Sequence, residues 1–564
     1  MATEADQPAP RPKGLKLLAA ALASRKSACM LAFGLSSGLP FALLVGTLTA
    51  WLGEVGVKLA TIGVFSWIGL AYSFQFLWSP IVDRLRLPGL ERLGRRKGWI
   101  VLCQAVVLAA FAGLAMTDPA ADIGRFVLVA FAGAVASATQ DIAINGWRID
   151  NADEETPIGL LTALYQFGYR TASIIGGAIA LVLASSMSWP QVYLVMAALI
   201  GLLVFATLAA PDTPRPPPAT LEGALAEPGA LKPRTRAMLL LAVGASWLWA
   251  IFTIVRFMIS MLADTPPDVP RPSVTEFSLT YGPLILLATV FLPLLLAALA
   301  NWLKRQPERV LAAHDTTGGA GRGIANHLYS ALVDTLSDLC ARLGWGVLVI
   351  LGFILTYAIC YNIWASFAYP FYLGELKYTK EEVAFASKVF GIVMTMLGIS
   401  LGGYLYGRIG RFPTVLLGAI LPPLGNFLYA DLADGGKGID AFSHLLRLDA
   451  LAQMFGSDER MVRLMLAICY ENVSTGLALT AFVAYVSSIV SKKYAAIQYA
   501  LLSSLVSLVG TLGRGAVGRA FDQFGYAPVF RWTAATALVA VLFVALEWAR
   551  TSRIERRLSR ESGD

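Results

Sequence analysis

Residues 138–150 read Ala138-Thr139-Gln140-Asp141-Ile142-Ala143-Ile144-Asn145-Gly146-Trp147-Arg148-Ile149-Asp150 and close an apolar run that begins near Phe126. At 3.6 residues per turn, Asp141, Asn145 and Arg148 fall on one stripe of a helix. Charge at the centre of a membrane helix costs at least ~2.5–3.5 kcal/mol. A lipid-facing stripe of this kind would not insert. It must face other helices or a watery cavity, which makes it a candidate substrate or proton site.

The rest of the chain supports a membrane setting. Of its 564 residues 57% are hydrophobic and only 15% charged, and the mean hydropathy is +0.64. Soluble domains carry about 25% charged residues. Apolar runs of about 20 residues, each long enough to cross a ~30 Å hydrocarbon core, recur at 28–52, 61–82, 99–116, 126–147, 159–184, 190–209, 238–263, 278–303, 345–371, 383–406, 413–430, 462–490, 495–518 and 527–549. The alternating ten-residue segments of a barrel are not seen. The pattern predicts an all-α polytopic membrane protein of about 14 spans.

The net charge of +8 follows from topology and does not point to nucleic acid. The segments Arg11 to Lys26, Arg84 to Lys97, Arg148, Arg215 to Arg236, Lys304 to Arg342, Arg408 and Arg411, Lys492 and Lys493, and Arg550 to Arg560 hold most of the 45 Lys and Arg. Placed on one side, they satisfy the positive-inside rule with both termini cytoplasmic, and an even number of spans agrees. Met1 to Lys26 is polar and basic, with no small-residue cleavage site after a short apolar region, so the first span reads as an uncleaved anchor. Cys29, Cys103, Cys340, Cys360 and Cys469 are scattered without metal-ligand spacing, and His314, His327 and His444 lie in connecting segments. Neither a metal site nor a disulfide framework is expected. No Walker, Gly-x-Ser-x-Gly or metal-spaced His pattern suggests an enzyme.

The order of segments predicts seven parts: a cytoplasmic tail (1–26), a six-helix half (27–209), a Pro-rich linker (210–237), an extra helix pair (238–303), a linker with an amphipathic helix (304–344), a second six-helix half (345–549) and a basic tail (550–564). In the fifth part Ile324, Leu328, Leu332, Leu336, Leu339 and Leu343 recur at helical spacing, as in a helix lying at the inner face. The halves resemble each other. Leu52-Gly53-Glu54-Val55 matches Leu373-Gly374-Glu375-Leu376. Gly94-Arg95-Arg96-Lys97 has a counterpart in Gly403-Tyr404-Leu405-Tyr406-Gly407-Arg408-Ile409-Gly410-Arg411, and Ser188-Trp189-Pro190-Gln191-Val192-Tyr193 in Gly525-Tyr526-Ala527-Pro528-Val529-Phe530. Two six-helix halves in the same orientation, joined inside, are the architecture of major facilitator transporters. In that superfamily an acidic-basic loop after the second span latches one conformation. Asp83, Arg84, Arg95 and Arg96 are the latch candidates, the alternative being a plain positive-inside anchor.

Both halves also resemble the AmpG-type muropeptide permeases. The resemblance rests on Phe33-Gly34-Leu35-Ser36-Ser37-Gly38-Leu39-Pro40, on Phe76-Leu77-Trp78-Ser79-Pro80 before Asp83-Arg84, and on Gln140-Asp141 with Trp147. In the second half it rests on Tyr470-Glu471-Asn472 with Gly476, and on Gln498-Tyr499-Ala500-Leu501-Leu502-Ser503. Asn145 stands where the family often carries a second acidic residue, Gln75 where it often carries a basic one, and the extra helix pair lies between the halves. The resemblance implies import of N-acetylglucosaminyl-anhydro-N-acetylmuramyl peptides across the bacterial inner membrane. The drive would be the proton gradient with no cofactor, the partners cargo and bilayer, and the expected state a monomer. The recovered fragments would feed wall recycling and β-lactamase induction.

Such a cargo needs hydrogen-bonding groups, aromatic faces and a cation. Gln140, Asn145, Trp147, Tyr165, Gln166, Arg170 and Asn472 are the candidate substrate contacts, with Arg170 as the carboxylate clamp or else a partner of Asp141 or Asp150. Asp141 and Glu471 are the candidate proton carriers, because a carboxyl kept from water favours its protonated form. Ser36, Ser37, Gly38 and Pro40 interrupt the first span, either as a bend or for close helix packing. Arg148 and Asp150 are expected at the inner boundary in structural roles, and Arg256 in the extra pair is expected to snorkel or pair locally. The alternative cargo is acetyl-CoA or another small metabolite. Arg170 and Arg256, the only two buried cations expected, are few for its phosphates.

Overall fold

A computed structural model of the chain describes residues 24–55, 72, 74–212, 231–262, 274–306, 310, 323–357, 359, 367–368, 370–448 and 458–561. The basic N-terminal tail up to residue 23, most of the second expected span, the Pro-rich string after Asp212, the glycine run at 318–321, His314 and Cys360 lie outside them. So do the side chains of Arg84, Ile324, His327 and Leu328.

The described residues are helical apart from short connections and one antiparallel bridge between Leu231 and Val310. In the first half, α1 (Arg25–Phe41) continues through a π-helical turn (Ala42–Thr47) into Leu48–Glu54. Then come α2 (Ser79–Arg84), α3 (Arg95–Ala115), α4 (Ile123–Asn151), α5 (Ile158–Ser173, then a π turn Ile174–Ile179) and α6 (Trp189–Ala209). The extra pair is α7 (Pro233–Leu262) and α8 (Val274–Leu286, a π turn, and Leu292–Lys304). α9 (Gly323–Leu343) meets α10 (Gly346–Tyr357) at 104°. The second half continues with π turns Pro370–Glu375 and Phe385–Phe390, α11 (Gly391–Arg408), α12 (Arg411–Ala433), α13 (Lys437–Leu445), α14 (Glu459–Ile489), α15 (Ala495–Phe524) and α16 (Tyr526–Glu561). Among the described residues 11 helices are long and apolar enough to cross a membrane, or 12 if the bent α9–α10 pair is one span. The expectation of about 14 is not reached: the span expected at 61–82 lies largely outside the described residues, the one expected at 345–371 is described mainly as α10 of the bent pair, and α15 (expected at 495–518) is not among the eleven.

Local sequence explains the boundaries. Asp122 and Asp458 accept backbone N–H bonds at the starts of α4 and α14, satisfying donors that a helix start leaves open. Gly94 (φ 77) and Gly410 (φ 90) precede α3 and α12 in the left-handed region, which a side chain would strain. The same Gly-Arg step therefore opens the third helix of each half. The matched strings Leu52-Gly53-Glu54 and Leu373-Gly374-Glu375 both end helical segments.

In both halves the third helix packs on the sixth, α3 on α6 and α12 on α16. The closest approaches run through glycines. A Cβ on Gly34 would stand 2.1 Å from Tyr165 O, and one on Gly168 2.2 Å from Leu31 O, so the α1 and α5 backbones touch. A Cβ on Gly398 would stand 2.1 Å from Val473 O, and one on Gly476 2.4 Å from Thr395 O, joining α11 to α14 in the same way. Of the two readings of Ser36, Ser37, Gly38 and Pro40, close packing is present at Gly38, where a Cβ would stand 2.5 Å from Tyr169 O. Gly34→Ala and Gly398→Ala should each destabilise the protein by about 1–3 kcal/mol through overpacking. Gly244→Ala, on α7 with nothing within 4 Å of the new methyl, should not. Thermal unfolding in detergent separates them.

The extra pair rests on α9 and α15, and Trp247 of α7 meets Phe76 edge-on at 5.7 Å. The amphipathic face of α9 turns inward at Leu336 and Leu339. α9 is tied to the α14–α15 turn: Gln498 Nε2 donates to Thr335 O and to Asp338, and Arg342 donates to Ile489 O and to Gln498 Oε1.

Candidate functional site

The polar stripe of α4 meets the interrupted part of α1. Gln140 Nε2 donates to Ser36 Oγ at 3.0 Å, and Gln104 Nε2 donates to the same oxygen at 2.9 Å. Asp141 accepts from the Ser37 hydroxyl, and Ser37 Oγ lies 2.7 Å from the Tyr165 hydroxyl. One carboxyl is thus linked through a serine to a tyrosine of α5. Gln166 and Asn145 are also buried, and the Oδ1 of Asn145 has no hydrogen-bond partner. Trp147, a candidate substrate contact, is fully buried. It packs edge-on against Phe33 at 5.1 Å and donates to Pro211 O at 3.1 Å. Its ring serves the core of the first half, leaving no free face for a sugar.

Arg148 departs most from expectation. Within α4, which runs on to Asn151, Arg148 is 0% exposed and enclosed between the two halves. Its Nη2 donates to Ser487 Oγ of α14 at 3.0 Å. The guanidinium carbon lies 5.3 Å from the Tyr165 ring centroid and 5.1 Å from that of Tyr499 on α15. The expected pair of buried cations changes accordingly. Arg256 is exposed on α7 and Arg170 is half-buried, whereas Arg148 and Arg96 are fully buried.

In the second half Glu471 of α14 accepts from the Tyr429 hydroxyl of α12, which in turn accepts from Tyr372 at 3.0 Å. Asn472 uses both ends of its amide within the bundle. Thr395 Oγ1 donates to its Oδ1 at 2.7 Å, and its Nδ2 donates to Ile468 O at 2.8 Å. That places it in a helix–helix contact. Among the described residues neither Asp141 nor Glu471 forms an ion pair, unlike Asp83, Asp150, Asp153 and Glu547.

The loop charges gather at one end. Arg96, fully buried, places Nη1 2.8 Å from Asp83 and donates from Nε to Asp150 at 2.9 Å. The Asp83 contact is at ion-pair distance without an aligned hydrogen bond. Arg95 reaches Asp83 at 3.8 Å and Asp150 at 3.7 Å. Gly146 makes room for this cluster, since a Cβ there would stand 2.5 Å from Arg96 Cζ. Asp150 thus pairs with Arg95 and Arg96, where Arg170 had been a candidate. Lys26 binds Asp153 in the α4–α5 connection. Partial burial pushes that carboxyl up, but bonds from Lys26 and from the Thr156 backbone and hydroxyl outweigh it and hold it at about 2.

The halves meet at this same basic end. α5 packs on α11 and α14, and α15 packs on α4 and α2. A Cβ on Gly403 would stand 2.6 Å from Ala163 Cβ, and one on Gly159 2.9 Å from the Tyr406 ring. The residues that sequence reasoning left without a role are Ser487, Tyr499 and Tyr429. Tyr499 stands in a string that carries the resemblance, but only folding brings it to Arg148.

The model of the Major Facilitator Superfamily matches residues 27–313. The chain is 26% identical over 534 residues to the anhydromuropeptide permease of Escherichia coli K12, covering 93% of this chain and 82% of that one. It is 25% identical over 513 residues to the putative transporter AmpG 4 of Rickettsia felis, covering 91% and 94%. Among solved structures it resembles the proton:xylose symporter XylE (TM-score 0.55, 11% identity, 93% and 95% covered) and the human organic anion transporter MFSD10 (0.51, 15%, 92% and 99%). These last likenesses concern the fold. With its multiple apolar helices and the matched segment, this multi-pass membrane protein is a transporter, not an enzyme, and belongs to the major facilitator superfamily.

Proposed function

We propose that the chain imports peptidoglycan breakdown products, N-acetylglucosaminyl-anhydro-N-acetylmuramyl peptides, from periplasm to cytoplasm by proton symport. In this reading it sits in the bacterial inner membrane with both termini cytoplasmic, and its cargo feeds wall recycling and the induction of β-lactamase. The likeness to the permease of E. coli over most of both chains supports the cargo. The observation that carries the proton is a pair of carboxyls inside the bundle, Asp141 buried and Glu471 half-buried, one in each half, each bonded to a hydroxyl and, among the described residues, neither ion-paired. A carboxyl so placed can be neutral when occluded and charged when wetted, which alternating access requires.

The candidate substrate contacts narrow in this reading to Gln140, Asn145, Tyr165, Gln166 and Arg170. Asp83, Arg95 and Arg96 hold the basic end together and act as the latch. An acetyl-CoA cargo is less well served: Arg96 is neutralised by Asp83 and Asp150, leaving Arg148 and Arg170 for several phosphates.

The test is uptake of labelled anhydro-muropeptide into right-side-out and inverted vesicles, with and without a protonophore. Uptake that collapses with the protonophore is expected. Uptake indifferent to it would remove proton coupling, and uptake of no wall fragment would remove the cargo.

A further inference from the structure

Arg148 is a fully buried cation with no carboxylate at ion-pair distance among the described residues; Asp141 acts on it electrostatically, without contact. Asp141, two turns away on α4, is engaged by Ser37, and Asp150 is engaged by Arg95 and Arg96. Of the Arg148 guanidinium, only Nη2 has a hydrogen-bond partner; Nε and Nη1 have none. Removing an ion from water without a counter-ion costs several kcal/mol. The Tyr165 and Tyr499 faces offset part of that, but they leave the donors open. Open donors in the plane of a guanidinium match the two oxygens of a carboxylate.

We propose that Arg148 is a binding subsite for a carboxylate of the cargo, formed between the two halves with Tyr165 and Tyr499 as its walls. The proposal rests on the transport reading above and names the chemical group that cargo must carry. Either two-point edge of a guanidinium includes Nη2, the atom that holds Ser487. Nη2 carries two N–H groups and gives one to Ser487, so a carboxylate can take the remaining edge beside the one bond Arg148 makes across the halves. In this assignment Arg148, fully buried and open in its donors, takes the clamp role first assigned to Arg170.

The test uses full-length protein in proteoliposomes. Its probes are N-acetylglucosaminyl-anhydro-N-acetylmuramyl tripeptide and the same molecule with its carboxyls converted to carboxamides. The wild type should favour the carboxylate form by roughly tenfold or more in KM, the scale of a hydrogen bond to a charged group. Arg148→Gln should erase the difference between the two forms. Arg148→Lys, which keeps the charge and loses the planar fork, should fall between. If both variants keep the wild-type preference, the subsite is wrong.

If the wild type transports neither form, the cargo assignment fails and the subsite is read by thermal unfolding of the purified protein with N-acetyl-alanyl-alanine against its C-terminal amide. Stabilisation of the wild type by the acid alone, absent in Arg148→Gln, supports the subsite. No stabilisation, or equal stabilisation of the variant, overturns it.

Discussion

Asp141→Asn and Glu471→Gln should abolish concentrative uptake of an anhydro-muropeptide while exchange of cargo across the membrane persists. Each replacement is nearly isosteric and neutral. The amide oxygen still accepts from Ser37 or from Tyr429, so the local bonds seen at Asp141 and Glu471 survive. What is lost is the ability to take up and release a proton. With a one-unit pH step across the membrane, each coupled proton supports about tenfold accumulation, the equivalent of 1.36 kcal/mol. A variant lacking the carrier should settle at equal concentrations inside and out. Counterflow, which needs only cargo binding and rocking, should continue. Loss of accumulation in one variant alone would name the carrier. Full accumulation in both would show that neither carboxyl carries the proton.

Arg96→Met should be the most destabilising single change at the basic end. It leaves Asp83, 1% exposed, with only Arg95 at 3.8 Å, and breaking a buried pair typically costs about 3–5 kcal/mol. The double variant Asp83→Leu, Arg96→Met removes the Asp83 charge with its partner and should recover part of that loss, because a buried pair and a matched apolar pair are often near-equal in stability, while Asp150 keeps only Arg95 at 3.7 Å. Thermal unfolding reads the recovery. Transport reads something else. If the double variant is stable yet transports poorly, the pair acts as a latch; if it transports as the wild type does, the pair is structural only.

Much of the architecture was legible in the sequence because a bilayer forces it. Runs of about 20 apolar residues allow only helices or their buried equivalents, and the matched Gly-Arg strings disclosed the repeat of the two halves. The two carboxyls were legible for the same reason, since a charged residue inside such a run is conspicuous. Arg148 was not. Hydropathy ended the fourth span at Trp147, and beyond that point a cation facing water and a cation sealed between two halves look alike. Its surroundings come from Ser487 and Tyr499, more than 300 residues away, and no local pattern announces them. Trp147 shows the same limit: no local pattern announces that the Phe33 ring and Pro211 O enclose it.

The π-helical turns of α1 and α5, and the two that precede α11, all lie toward the end away from the basic loops, beyond the glycine contacts that lock backbone to backbone. Those following α5 and preceding α11 touch each other across the halves. π turns give a helix a place to yield, whereas backbones in contact at glycine cannot slide. In the transport reading proposed above, the two mouths of the pathway are mechanically unlike: the one at the basic end would part by releasing Arg148 from Ser487 and separating stiff segments, and the opposite one would narrow or widen by flexing.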